Sequence, residues 1–366
     1  MPVSNEIIKL ENYKLINRSK FCFQLVFHVM YTNDRENIST NQILSQLEIL
    51  NEIYDQSNTG DDLRIPSMFR LLKSNPDMHF NLATKTVQGN PSIGITRTKI
   101  SNINLACKKE FGLRNIMHAT LGGLDPWDPS RYINIYVINR DQCNVLGEAI
   151  YPWNATASED GIIIDYRAIG FSGEAVYNKP FHLGKTLVHE IGHYFGLKHL
   201  SNDEKNCQSD DLVNDTPVQS KEYFDCPQYP QTDCNQVSMT MNYMSLVNDG
   251  CMFLFTKDQV SRMYQIIQQY RSGLSGNYCE LKRDSSANFN LIYENNSWRI
   301  QSSDHAVWNA ELEIFDVQGK LIWKERSGEH VTFSFPQSQM NLNCGVYFLR
   351  VRQSDKYSIF KFINFN

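Results

Sequence analysis

Residues 189–199 read His-Glu-Ile-Gly-His-Tyr-Phe-Gly-Leu-Lys-His, and they concentrate the chemistry of the chain. On a helix, residues four apart stand on one face, so His189 and His193 can offer two imidazole nitrogens to one zinc ion. Glu190 is turned away from that pair and can reach a water on the ion without ligating it. Gly196 ends the helix, because glycine takes positive φ cheaply, and the chain can then swing His199 in from the far side. Three histidines leave the fourth position of a tetrahedral zinc open, as in catalytic rather than structural sites. Zinc would lower the pKa of water there towards roughly 7, with Glu190 taking its proton as general base and passing it to the leaving amine. The rival reading is a helix with three solvated histidines. It needs three His, one Glu and one Gly at fixed offsets to coincide by chance, on the order of 10⁻⁵ for a chain of this length.

Elements able to position these groups are legible around them. Residues 21–31 (FCFQLVFHVMY) predict a buried strand. A helix follows, with Ile43, Leu47, Leu50 and Tyr54 on one face and Thr40 or Asn41 as cap. His79–Ala83, Tyr132–Ile138 and Gly161–Asp165 predict further strands. Leu146–Tyr151, stopped by Pro152, predicts an edge strand. The motif helix is expected over about 182–195 and another over about 256–273, followed by a flexible hinge at Ser272–Gly276. Beyond residue 280, short β-type runs at 311–317, 321–323, 331–335 and 345–352, punctuated by Gln318-Gly319 and Ser327-Gly328, predict a small all-β sandwich.

With 366 residues, two domains are expected. The 35 Lys+Arg against 40 Asp+Glu contain no basic block, which argues against a nucleic-acid partner. No apolar run approaches the roughly 18 residues of a transmembrane segment. Met1–Tyr13 lacks the basic and apolar regions of a signal peptide, so an exported protein would have its leader outside this chain. Of nine cysteines, Cys22, Cys107 and Cys344 fit small buried hydrophobes. Cys207, Cys226, Cys234 and Cys251 lie in polar loop sequence with no CxxC pair, which favours two disulfides and an oxidising compartment over a zinc knuckle.

The extended motif, together with Asn242-Tyr243-Met244-Ser245 about 45 residues downstream, resembles the metzincins. More of the chain resembles their pappalysin family. The resembling stretches are Arg64–Phe69, Gly94–Arg97, Leu146–Ala149 with Pro152, Asp160–Asp165, Asp215–Pro217, Asp249–Met252, and Phe255-Thr256 with Gln259, Arg262 and Met263. The resemblance implies an α+β metzincin-like catalytic domain over 21–275: a twisted, mostly parallel sheet with backing and active-site helices, and a loop-rich lower subdomain. An extension over 1–20 precedes it. A linker over 276–284 and an Ig-like sandwich over 285–366 follow.

The family implies a secreted zinc endopeptidase acting on protein or peptide substrates. Zinc would sit on His189, His193 and His199, with Glu190 catalytic and Met244 as the floor beneath the metal. It pairs the loop cysteines as Cys207–Cys234 and Cys226–Cys251, each worth roughly 3–4 kcal/mol in the chain-entropy model. Calcium-bound relatives point to Asp211, with Asn214 and Thr216, as a calcium site; a solvated acidic loop is the alternative. Substrate would add antiparallel to the edge strand containing Leu146, Gly147, Glu148 and Ala149. Two departures stand out. The family's tyrosine two residues after the Met-turn methionine is Leu246 here. Asn242, counted with the substrate-binding residues, stands where relatives with a basic preference carry an acid. A weakly active zinc-binding adhesin or scaffold on the same fold is therefore the alternative function. Leu312–Asp316 with Gly319-Lys320, Gly345–Phe348 and Lys361-Phe362 resemble a type IX secretion sorting domain, implying a bacterial secreted or cell-surface protein that engages that machinery. A generic Ig-like accessory module is the other reading of that segment.

Overall fold

The structure, a computed structural model, describes residues 21–275 and 289–364 apart from 56–61, 102, 108, 111–112, 202–205, 295–296, 303–308, 317–318, 330–331, 337–341, 343–344 and 354–355. The expected N-terminal extension and linker lie outside the described residues, as does Cys344. Two compact units result. Of the described residues, one comprises those within 21–25, 29–81 and 99–275, and the other those within 26–28, 82–98 and 289–364.

An apolar run covered on both faces makes a central strand, and Phe21–Tyr31 (β1) is such a run. Around it lie Met78–Leu82 (β2), Ile95–Lys99 (β3), Ile133–Ile138 (β4), Gly147–Ala149 (β5) and Ile162–Asp165 (β6). The sheet order is β2-β1-β4-β6-β5, with β3 also paired to β1. β4 and β6 run parallel, with Ile135 opposite Ile162. The shorter β5 closes the edge antiparallel, with Gly147 opposite Ile164. The mixed sheet matches the expected α+β class.

Helix α1 (Thr40–Tyr54) is capped by Ser39, whose hydroxyl accepts from the Gln42 N–H, rather than by Thr40 or Asn41, which are already helical. The motif helix α2 spans Lys185–Tyr194, shorter than the pattern suggests, because Gly184 enters it with φ 70°. Two contacts fix α2. The Tyr54 hydroxyl donates to the Val188 carbonyl at 2.8 Å, and Phe195 packs on Phe23 of β1 with centroids 4.9 Å apart. Helix α3 (Lys257–Tyr270) starts with a reciprocal Thr256–Gln259 capping box. Its Arg262 donates to the Gly196 carbonyl at 2.9 Å, where the motif helix ends. The expected hinge is instead helical at Ser272–Ser275 (α4). Gly273 sits there so close to the Ser130 backbone that a Cβ would lie 2.8 Å from its carbonyl oxygen; packing, not flexibility, explains that glycine.

The loop cysteines pair as Cys207–Cys234 and Cys226–Cys251, with Cα separations of 5.4 and 5.7 Å. Reading Cys107 as a small buried hydrophobe is corrected, whereas Cys22 is buried as expected but is not a free thiol. Cys107 is exposed and bonded to Cys143, and Cys22 is also disulfide-bonded. An exposed loop position offers no core for a thiol to fill.

The C-terminal segment forms two antiparallel sheets. One joins Phe289–Glu294 (β7), Ser297–Ser302 (β8) and Thr332–Pro336 (β11). The other joins Glu311–Phe315 (β9), Leu321–Arg326 (β10), Gly345–Gln353 (β12) and Lys356–Asn364 (β13). Alternation puts Leu312, Ile314, Leu349 and Val351 with Ile300 in one core, against Trp298, Trp323 and Phe333.

Candidate active site

His189 and His193 lie one turn apart on α2 with ring centroids 4.6 Å apart. Gly196, at φ 86°, turns the chain so that His199 meets them. Nε2 of His199 stands 3.1 Å from Nε2 of His189 and 3.0 Å from Nε2 of His193. The opposite nitrogens are anchored. Nδ1–H of His189 donates to the Tyr243 carbonyl at 2.8 Å, and Nδ1–H of His193 donates to the Leu197 carbonyl at 2.7 Å. These bonds fix the tautomer and leave the Nε2 lone pairs converging. Burial, with His199 adding to it, pushes His189 down to about 3; burial and both neighbours hold His193 well below the usual range. His189 and His193 are therefore neutral, the form that ligates a metal.

Glu190 lies buried on the same turn, against the edge strand. Burial pushes its carboxyl up to about 8, Arg140 and the Ala149 N–H draw it down, and Glu148 pushes it further up. Gly147 is the second half of this arrangement: a Cβ there would lie 2.4 Å from Glu190 Oε1. Glu148 is committed to arginines, with Arg114 Nη2 at 2.8 Å and Arg140 Nη2 at 3.7 Å. The Leu146 carbonyl accepts from Asp165 N at 2.7 Å and so faces into the sheet.

Met244 is fully buried beneath α2, where a Cβ on Gly192 would meet its sulfur at 2.4 Å. Tyr243 turns its ring into the core against Phe255, 4.8 Å between centroids. Asn242, expected on the substrate side, is a correction. It is fully buried, exchanges amide hydrogen bonds with Gln259 at 2.9 and 3.1 Å, and accepts from Met244 N at 2.9 Å. Both ends of its amide are spent on holding the turn. Leu246 is half-buried.

Asp211 and Thr216 come together, with the Thr216 hydroxyl donating to the two Asp211 oxygens at 2.8 and 3.0 Å, whereas Asn214 is exposed. Burial pushes Asp211 up to about 7.

Sequence reasoning missed three positioning residues. The Tyr151 hydroxyl lies 3.0 Å from His193 Nδ1, and its ring stacks on Trp153 at 4.8 Å. Arg140 is buried between Glu148 and the Val145 carbonyl. Arg271 donates to the Tyr194 carbonyl at the end of α2 and to the Ile150 carbonyl just beyond β5, and it pairs with buried Asp160 at 2.5 Å. An aromatic before Pro152 was the one local signal; the two arginines are distant in sequence and left none.

Residues 123–268 match the family model of pregnancy-associated plasma protein-A peptidases. Over 252 residues, 67% of this chain and 77% of the other, the chain is 30% identical to an extracellular metalloprotease of Trichophyton verrucosum. It is 29% identical over 253 residues to one of Arthroderma otae, with the same coverage. Among solved structures, mature mirolysin of Tannerella forsythia in complex with a cleaved peptide superposes with a TM-score of 0.65 at 35% identity, covering 70% of this chain and 96% of that one.

Proposed function

For a chain that belongs to the pappalysin family of metzincin metalloendopeptidases, we propose a secreted zinc-dependent endopeptidase in which Glu190 is the general base and then the general acid. The observation that carries this reading is the convergence of three imidazole nitrogens beside a buried carboxyl lying along a sheet edge. The Nε2 atoms of His189 and His193 each stand about 3 Å from Nε2 of His199, and all three lie within 4.8 Å of one another, so the donors fit one zinc ion. When bound, zinc supplies Lewis acidity for water and for the scissile carbonyl.

The rest is done by this chain. A carboxyl near neutrality both takes and returns a proton, and burial tunes Glu190 that way. A cation close by draws it down again, favouring the base form. The Ala149 N–H holds the carboxylate, and Gly147 leaves room for it. Met244 supports the helix from below, and the Tyr243 and Leu197 carbonyls orient the rings. The peptide adds antiparallel along the free side of β5, main chain to main chain.

Secretion agrees with the extracellular relatives and with the disulfides. The C-terminal sheets, carrying Leu312–Asp316 and Gly345–Phe348, would engage a type IX secretion machinery of a bacterial cell. Calcium is the second ion of this reading: a cation at Asp211 and Thr216 would keep that buried carboxyl ionised. Leu246 favours the alternative, a zinc-binding scaffold of low activity, because an aliphatic side chain donates no hydrogen bond to an oxyanion.

Cleavage of an unfolded protein decides between them. Wild type should cut it, a chelator should abolish cutting, and Glu190→Gln should lower kcat by about 10²–10⁴ while zinc content stays at one ion per chain. Zinc binding by wild type without cleavage would overturn the enzyme reading in favour of the scaffold.

A further inference from the structure

The free side of β5 has a direction, and that direction places neighbouring residues along a bound peptide. The Leu146 carbonyl and the Ile150 N–H bond into β6, to Asp165 N at 2.7 Å and Gly161 O at 3.0 Å. Backbone groups alternate along an antiparallel strand, so Gly147 and Ala149 face the other way, while just past the strand the Tyr151 carbonyl accepts from Asn154 N at 2.9 Å. The Glu190 carboxyl lies at Gly147 and Ala149, which locates the scissile bond there. A peptide antiparallel to the strand places the residues before its scissile bond beside the stretch that follows Ala149.

Two aromatic rings stand on that stretch. Tyr151 meets His193 edge to face at 5.3 Å and is stacked on Trp153 at 4.8 Å with 13° between planes. Trp153 is 40% exposed, although a large aromatic gains by burial. Tyr151 is held by its contact with His193, and Pro152, between the two aromatics in sequence, is buried, so the pair is a preset platform. At roughly 3.4 Å per residue, Tyr151 lies about 7 Å beyond Ala149, or two peptide residues.

We propose that Tyr151 and Trp153 form a subsite for an aromatic side chain two or three residues before the scissile bond. This rests on the endopeptidase reading and on antiparallel addition to β5. The peptide's ring covers the exposed Trp153 face, and the platform adds stacking to main-chain hydrogen bonds that by themselves read no side chain.

Zinc-loaded wild type, Trp153→Ala and Trp153→Phe are compared on matched quenched-fluorescence peptides. These carry Phe or Ala at each of the two positions, counted from the bond found cut by mass spectrometry. Wild type should favour Phe by roughly threefold to tenfold in kcat/KM, mainly through KM. Trp153→Ala should bring that ratio near one, and Trp153→Phe should keep most of it. A readout without turnover uses Glu190→Gln. Binding of the Phe peptide should change its tryptophan fluorescence, and adding Trp153→Ala should remove the change. A preference for Phe that survives Trp153→Ala, or no preference in wild type, overturns the subsite. If wild type cuts no peptide, the endopeptidase reading fails instead, and the fluorescence titration alone decides the platform.

Discussion

Replacing Gly147 by alanine adds one methyl group against the carboxyl of Glu190, the proposed general base. That carbon would stand 2.4 Å from Oε1, 2.6 Å from Cγ and 2.7 Å from Cδ of Glu190. Ordinary contacts begin near 3.4 Å, so the carboxyl group must retreat by about 1 Å. Glu190 is buried and held by the Ala149 N–H, and the strand behind Gly147 is paired to β6, so neither side yields freely. A displacement of this size at a catalytic group costs on the order of 10² in rate. The accompanying overpacking costs about 1–3 kcal/mol in stability, too little to unfold a disulfide-stapled domain. The assay is kcat and KM on a fluorogenic peptide, with zinc content and thermal midpoint measured on the same preparation. Loss should fall on kcat, with one zinc retained. Wild-type kcat in a folded, zinc-loaded Gly147→Ala protein would refute the placement of Glu190 against this strand, and loss of zinc in step with activity would refute it equally.

Arg271→Met leaves Asp160 as an uncompensated buried carboxyl and should destabilise the fold by roughly 3–5 kcal/mol, read by chemical denaturation. The double variant with Asp160→Leu should recover part of that loss. Cys207→Ser with Cys234→Ser opens a link of sequence separation 27 and should cost roughly 3–4 kcal/mol, seen as a lower denaturation midpoint. Lys185 is buried beside Asp249, and burial lowers its ammonium to about 8 from 10.5. Below pH 8 both folded and unfolded forms are charged and the penalty is fully present. Between pH 8 and 10.5 the unfolded chain keeps a proton that the folded chain has released, so this group's contribution to stability rises with pH, by about 3 kcal/mol. Lys185→Met should flatten that slope in denaturation curves taken across the window.

The three converging histidines and Glu190 were legible because helical periodicity sets the His189–His193 spacing, and Gly196 is the residue that permits the turn back to His199. Strands β1, β4 and β6 were legible because a strand buried on both faces must be apolar throughout. Local pattern also marked the edge strand, stopped by Pro152. What sequence spacing could not carry is anything made by residues far apart. Asn242 looked like a substrate contact until folding brought Gln259 to both ends of its amide. Cys107 looked like a core residue until the fold laid Cys143 beside it. Ser272–Ser275 read as a hinge from composition, yet close approach to Ser130 explains the glycine there. Thus the chain itself determined which imidazoles and which carboxyl come together, because those constraints span a few turns of backbone. Tertiary structure decided what surrounds them, namely the Gly147 gap, the Arg271 clamp and the Tyr151–Trp153 platform, because contact across a folded sheet depends on distances that no local period encodes.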